Sequence, residues 1–222
     1  MSLRRSKEVP LIVSPSRTRR VVALCALAAS AACLAPDGSR AAAAGAPGAP
    51  ATKAGATPGR TAKIIEGDDH LFMVSAPRGW VLDDTAGMGS RIRCVFYPQG
   101  EQWSSAHTVM YVNPLHGFGA KARTMTSFIE QDEKAFKKRS PRGRITEGGT
   151  LPTADRKVAR VRYFSASGGA PHEAVAYVPE SDLVMLLVLS ARSPEGFQKA
   201  LNAYHELVQS YAWVASNAEL GR

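Results

Sequence analysis

The sequence predicts an α+β protein in which a largely antiparallel sheet is covered by two helices. Three observations predict it. Every Phe, Tyr and Trp of the 222 residues lies at or beyond Phe72, so a core is possible only from about Ile64 onward. Strand-length apolar stretches follow one another with turn residues between them and few intervening helices. Only two stretches, 124–139 and 193–212, carry apolar residues at helical spacing.

Taken in order, HLFMVSAP at 70–77 alternates and stops at proline, which marks a strand. Pro77-Arg78-Gly79-Trp80 is a turn followed by a large apolar anchor. RIRCVFY at 91–97 places Ile92, Cys94 and Phe96 on one face, and PQGEQ at 98–102 breaks that strand. HTVMYV at 107–112 is a third strand, and NPLHGFGAKAR at 113–123 reads as a glycine-bearing loop. A helix follows, capped by Thr124, with Met125, Phe128, Ile129, Asp132, Ala135 and Phe136 at helical spacing and an end near SPRG at 140–143.

Arg144–Glu147 is a short strand, and KVARVRYFS at 157–165 alternates. Glu173–Val178 and Leu183–Ser190 form a hairpin across the turn-like PESD at 179–182. LVMLLVLS, apolar almost throughout, has the length of a central strand. The last helix opens with Ser193 as cap and Pro194 at its first position. Its stripe is Phe197, Ala200, Leu201, Tyr204, Leu207, Val208, Tyr211 and Ala212. The predicted order is three strands, a helix, four strands and a helix.

Residues 1–35 read as a leader, 36–62 as a linker, 63–216 as a single α+β domain and 217–222 as a tail. Arg4, Arg5, Lys7, Arg17, Arg19 and Arg20 precede the apolar run VVALCALAASAACLA at 21–35. Positive charge ahead of such a run directs the remainder outward, so the protein is expected to be exported. Two cleavage readings stay open. SAAC ending at Cys33 resembles a lipobox and would make Cys33 a lipid attachment site, although Ser30 stands where Leu is preferred. Cleavage after the small residues Ala41–Ala44 would instead give a periplasmic or secreted protein. Arg19-Arg20 also bears a faint likeness to a twin-arginine signal. The Ala, Gly, Pro and Thr of the linker bury too little apolar area to offset the entropy of ordering them, which suits a spacer.

Charge follows the same division. Of 28 Lys/Arg and 19 Asp/Glu, residues 1–60 hold nine and two, a balance of +7. Residues 61–222 hold nineteen and seventeen, a balance of +2. The basic character is mostly the leader's, so no nucleic-acid partner is expected.

Cys94 is the only cysteine beyond the leader, which rules out an internal disulfide there and reads as a small apolar strand residue. His70, His107, His116, His172 and His205 show no metal-binding spacing, so a zinc or copper site would need residues distant in sequence. Neither GMGSR at 87–91 nor HGFGAK at 116–121 matches a phosphate-binding fingerprint; Gly-Phe-Gly with Lys121 and Arg123 could cradle an anion, though a connecting loop is the commoner reading. No catalytic, cofactor or metal residue is assigned. Two candidate partner surfaces remain. Lys137, Lys138, Arg139, Arg142 and Arg144 form the densest charge, at a helix C-terminus where a solvated end is the simplest account. Trp103 and Phe118 lie in loops at opposite ends of the third strand.

HLFMVSAPRGW at 70–80 resembles the opening of the family that holds the photosystem II subunit PsbP and the Ran-binding protein Mog1. There, a strand leads into an apolar-x-apolar-x-x-Pro-x-Gly-Trp signature. The resemblance spans roughly 63–215 and implies an α/β/α sandwich. It also implies binding or assembly rather than catalysis, and it transfers no site residue. The expected function is a non-enzymatic binding or assembly domain at the cell envelope, with an envelope protein or complex as partner. The alternatives are a periplasmic small-ligand or metal-binding module and a hydrolytic enzyme of unknown substrate.

Overall fold

The computed structural model describes residues 62–88, 92–116, 124–167, 170–181 and 183–221. The leader, most of the linker and Cys33 lie outside the described residues, as does Phe118. In chain order the elements are β1 (Ala62–Glu66), β2 (His70–Ser75), β3 (Trp80–Asp83), β4 (Cys94–Pro98) and β5 (Thr108–His116). There follow α1 (Met125–Arg139), β6 (Arg144–Pro152), β7 (Val158–Ser165), β8 (His172–Pro179), β9 (Leu183–Ala191), α2 (Pro194–Ser210) and β10 (Ala212–Ser216). Seven strands form one sheet in the order β3-β4-β5-β9-β8-β7-β6, and β1-β2-β10 form a second. Every pairing is antiparallel.

The residues of β9 go alternately to two cores. Leu183, Met185, Leu187, Leu189 and Ala191 meet Phe197, Ala200, Tyr204, Leu207 and Val208 of α2, together with Ile65, Phe72 and Val74 of the smaller sheet. Val184 and Val188 meet Phe128, Ile129 and Phe136 of α1 on the opposite face. The fold is therefore α+β with antiparallel sheets flanked by two helices, one on each face of the larger sheet. Both helices begin as the sequence indicates. Thr124 accepts from the Ser127 N–H while the Ser127 hydroxyl accepts from the Thr124 N–H, and Ser193 accepts from the Gly196 N–H.

Four expectations need correction. β5 does not stop at Val112 but runs on through Asn113, Pro114 and Leu115 to His116. Its pairing with β4 ends at Cys94↔Val112, so beyond that point no described strand pairs with that side of β5, where a proline lacking an N–H is tolerated. β6 does not end at Glu147, because a bulge at Gly148-Gly149 lets it continue to Pro152. Gly149 there takes φ +73, and a Cβ on Gly148 would strike Val161 and Tyr163. α2 ends at Ser210, so Tyr211 and Ala212 leave the helix and lead into β10. β1, β3 and β10 are added strands, making five before α1 and one after α2. Pro77-Arg78-Gly79-Trp80 behaves as read: Gly79 has φ +76, the Trp80 N–H reaches the Pro77 carbonyl at 3.1 Å, and Trp80 packs on the main core.

Polar ties fix the smaller sheet and the end of α2. Lys157, in the β6–β7 turn, pairs with Glu180 in the β8–β9 turn, and lies 3.2 Å from Asp155. The Tyr211 hydroxyl donates to the other Glu180 oxygen at 2.8 Å, and the Trp213 N–H donates to Asp155 at 3.0 Å. Burial holds the Glu180 carboxyl above its ordinary range despite the opposing effects of Lys157 and Tyr211. Three segments far apart in sequence thus meet on two carboxylates. Replacing Tyr211 by Phe removes one donor from a carboxylate whose side chain is 2% exposed. The expected loss is about 1–3 kcal/mol of unfolding free energy, read from urea denaturation at neutral pH.

Candidate functional site

The candidate surface starts from the sequence KKRSPRGR. α1 needs its C-terminal carbonyls satisfied, and its last turn carries Lys137, Lys138 and Arg139, which the helix dipole favours. The Ser140 N–H closes on Phe136 at 2.8 Å and the Gly143 N–H on Ser140 at 2.9 Å. Gly143 is pressed against the Phe136 ring, where an added Cβ would come within 2.6 Å. Lys137 donates to the Gly143 carbonyl at 2.7 Å. This tight return brings Arg142 and Arg144 back beside the helix end.

All five cations are exposed. The nearby acids are engaged elsewhere. Arg162 holds both Glu133 and Glu147 at 2.9 Å, and Asp132 accepts from the Tyr177 hydroxyl at 2.8 Å. Among the described residues, no carboxylate comes within ion-pair distance of Lys138, Arg139, Arg142 or Arg144. The dipole accounts for the three helical cations but not for Arg142 and Arg144, which lie past the helix.

Strand register places these residues within the whole sheet. Arg144 is opposite Ser165 at the end of β7, while His172 is opposite Ala191, which in turn is opposite Thr108. The start of β5, the end of β9 and the start of β6 therefore share one end of the sheet. Trp103, half-buried in the turn before β5, is at that end. So is exposed Arg192, directly after β9, whose N–H bonds to the His107 carbonyl at 3.0 Å. Four strand spacings separate β5 from β6, about 19 Å. The structure therefore brings Trp103 and the basic cluster to one end of the sheet, and Phe118 lies outside the described residues.

Two groupings could not be seen from sequence spacing. Asp69 accepts from His70 Nδ1 at 2.8 Å and lies 3.6 Å from His116 Nδ1, joining imidazoles 46 residues apart. His70 is buried, stacks on Trp213 at 5.5 Å, and its Nε2 is the only buried side-chain polar atom among the described residues without a partner. Desolvation works against the Asp69 charge, but the His70 bond and the two rings hold its carboxyl below the ordinary range. No three His, Cys, Asp or Glu side chains among the described residues are placed to hold a metal ion. The second grouping is Glu173 on β8, whose strand neighbours are Phe164 and Ser190. Phe164 packs on Phe136 at 5.1 Å, which brings Glu173 beside the end of α1. Burial pushes its carboxyl up, with Arg139 opposing. Cys94 is fully buried, and desolvation pushes its thiol up, as a packing residue requires.

No family model and no curated protein matches the chain. Among solved structures it is similar to cyanobacterial PsbP (CyanoP) of Synechocystis sp. PCC 6803, with 12% identity and a TM-score of 0.43, over 73% of this chain and 99% of that one. It is also similar to the Ran-binding protein Mog1p of Saccharomyces cerevisiae, with 11% identity and a TM-score of 0.42, over 69% and 95% of the respective chains. At these values neither likeness carries an argument about this chain, and the fold rests on its own strands and helices.

Glu173 and the His70 turn each give a test. An acid whose folded pKa is raised destabilises the native state above its unfolded pKa and ceases to do so as pH falls. Glu173→Gln should therefore raise the melting temperature at pH 8, with the gain shrinking toward pH 4. Equal shifts at both values would remove the desolvation account. Gly67→Ala would place a Cβ within 2.4 Å of the His70 ring and should cost about 1–3 kcal/mol by denaturant titration.

Proposed function

We propose that this protein is an exported, non-enzymatic binding domain of the cell envelope that engages or helps assemble another component. The reading takes residues 1–35 as the export leader and residues 36–62 as a spacer. It holds whether Cys33 carries a lipid or cleavage follows Ala41–Ala44. One observation carries it: Lys138, Arg139, Arg142 and Arg144 are exposed at one end of the sheet, and among the described residues no carboxylate lies within ion-pair distance of them. A folded region with a charge balance of only +2 has gathered its excess there. Such a surface raises the local concentration of an anionic partner and orients its approach.

The full chain, immobilised and exposed to native envelope extract, should enrich a component near one-to-one with the bait. Arg142→Glu with Arg144→Glu should reduce that enrichment about tenfold or more, because like-charge contact adds repulsion to the lost attraction. Equal enrichment by the reversed variant would overturn the assignment of this surface. No enrichment by either would overturn the binding role.

A further inference from the structure

The basic cluster is one part of a larger end face. Register places Arg192 and Trp103 at the same end of the sheet as Arg142 and Arg144, with β5 and β6 about 19 Å apart. Cations therefore come from three places in the chain: the last turn of α1, the turn into β6, and the residue after β9. Arg192 is exposed, and among the described residues no carboxylate pairs with it. The exposed acids at this end are Glu101, Glu195 and Glu147, the last paired with Arg162, while Glu173 is half-buried beneath it.

Composition decides between partners. In the cluster the exposed residues are Lys137, Lys138, Arg139, Pro141, Arg142 and Arg144, while Phe136 is turned into the core. A protein interface draws its energy from a desolvated apolar centre with anchors in pockets. A spread of solvated cations with one amphipathic indole at the margin suits an extended, high-density anionic plane. Resting on the binding role proposed above, we infer that this end of the sheet docks on the surface of a bilayer containing anionic phospholipid. Trp103 would sit at headgroup depth, and Lys138, Arg139, Arg142, Arg144 and Arg192 would face the phosphates.

The test uses the full chain with vesicles of phosphatidylcholine alone or with phosphatidylglycerol added. The leader is itself basic, so readouts must be local or differential. Anionic vesicles should slow chemical modification of Lys137 and Lys138 at least fivefold and leave Lys63 on β1 unchanged. The triple variant K138Q/R142Q/R144Q should lose about 100-fold in affinity for anionic vesicles, and Arg192→Gln about fivefold, each difference shrinking as salt is raised. These side chains are exposed, and unchanged melting temperatures would show the variants folded. Unaltered modification of Lys137 and Lys138, or equal vesicle affinity of wild type and triple variant, would overturn the bilayer proposal. If vesicles fail while charge reversal still abolishes capture of an acidic protein from lipid-free extract, the binding role stands and the bilayer is excluded.

Discussion

The burial of β9 on both faces is the constraint from which the architecture follows. An antiparallel strand with one wet face would alternate apolar and polar residues. Leu183–Ala191 does not, so each face needs an apolar cover. α2 supplies one with Phe197, Tyr204 and Leu207, and α1 supplies the other with Phe128, Ile129 and Phe136. The two covers differ in how they are held. α2 lies in the larger core, shared with the smaller sheet. α1 rests on a smaller apolar cluster and is pinned at its edges by Asp132 to Tyr177 and Glu133 to Arg162.

The smaller sheet would be marginal alone, since three short strands bury little without a partner surface. It is secured at β10 by the carboxylates of Asp155 and Glu180, which Lys157 bridges. Trp213 lies between this network and the turn that holds His70. Lys157 is 5.7 Å from the indole centroid, and His70 stacks on the same ring. The backbone and ring of one residue thus connect the β6–β7 turn and the β1–β2 turn. Polar groups meet here because chain turns collect at sheet ends, and burying them is tolerable only when they satisfy one another.

At the opposite end of β6, charge is left unbalanced instead. Arg162 occupies Glu133 and Glu147, which removes the acids nearest the end of α1 from service to Arg142 and Arg144. The positive field there comes from the five cations themselves, because one guanidinium against two carboxylates leaves the Arg162 network net negative. A surface of this kind gives fast, salt-sensitive and modest binding, because solvated ion pairs contribute little individually and act together. That character fits the proposed role of a binding domain making a reversible contact.

The sequence by itself determined the fold class, both helix starts and the β8–β9 hairpin. These follow from local chemistry: Thr124 and Ser193 cap their helices wherever those helices lie, and periodicity shows which side chains need burial. It also located the basic cluster, since five cations within eight residues are legible without coordinates. It missed where backbone pairing overrides local preference. Pro114 reads as a loop residue until one side of β5 is seen to pair with no described strand, and Gly148-Gly149 reads as a stop until the bulge is seen. Tyr211 and Ala212 continue the stripe of α2, yet the chain turns there to pair with β2. Only tertiary structure decided that His70 and His116 share Asp69, and that Trp103 and Arg192 lie at the same end of the sheet as the basic cluster. Those relations depend on strand order and register, which are set by long-range pairing and leave no trace in local spacing.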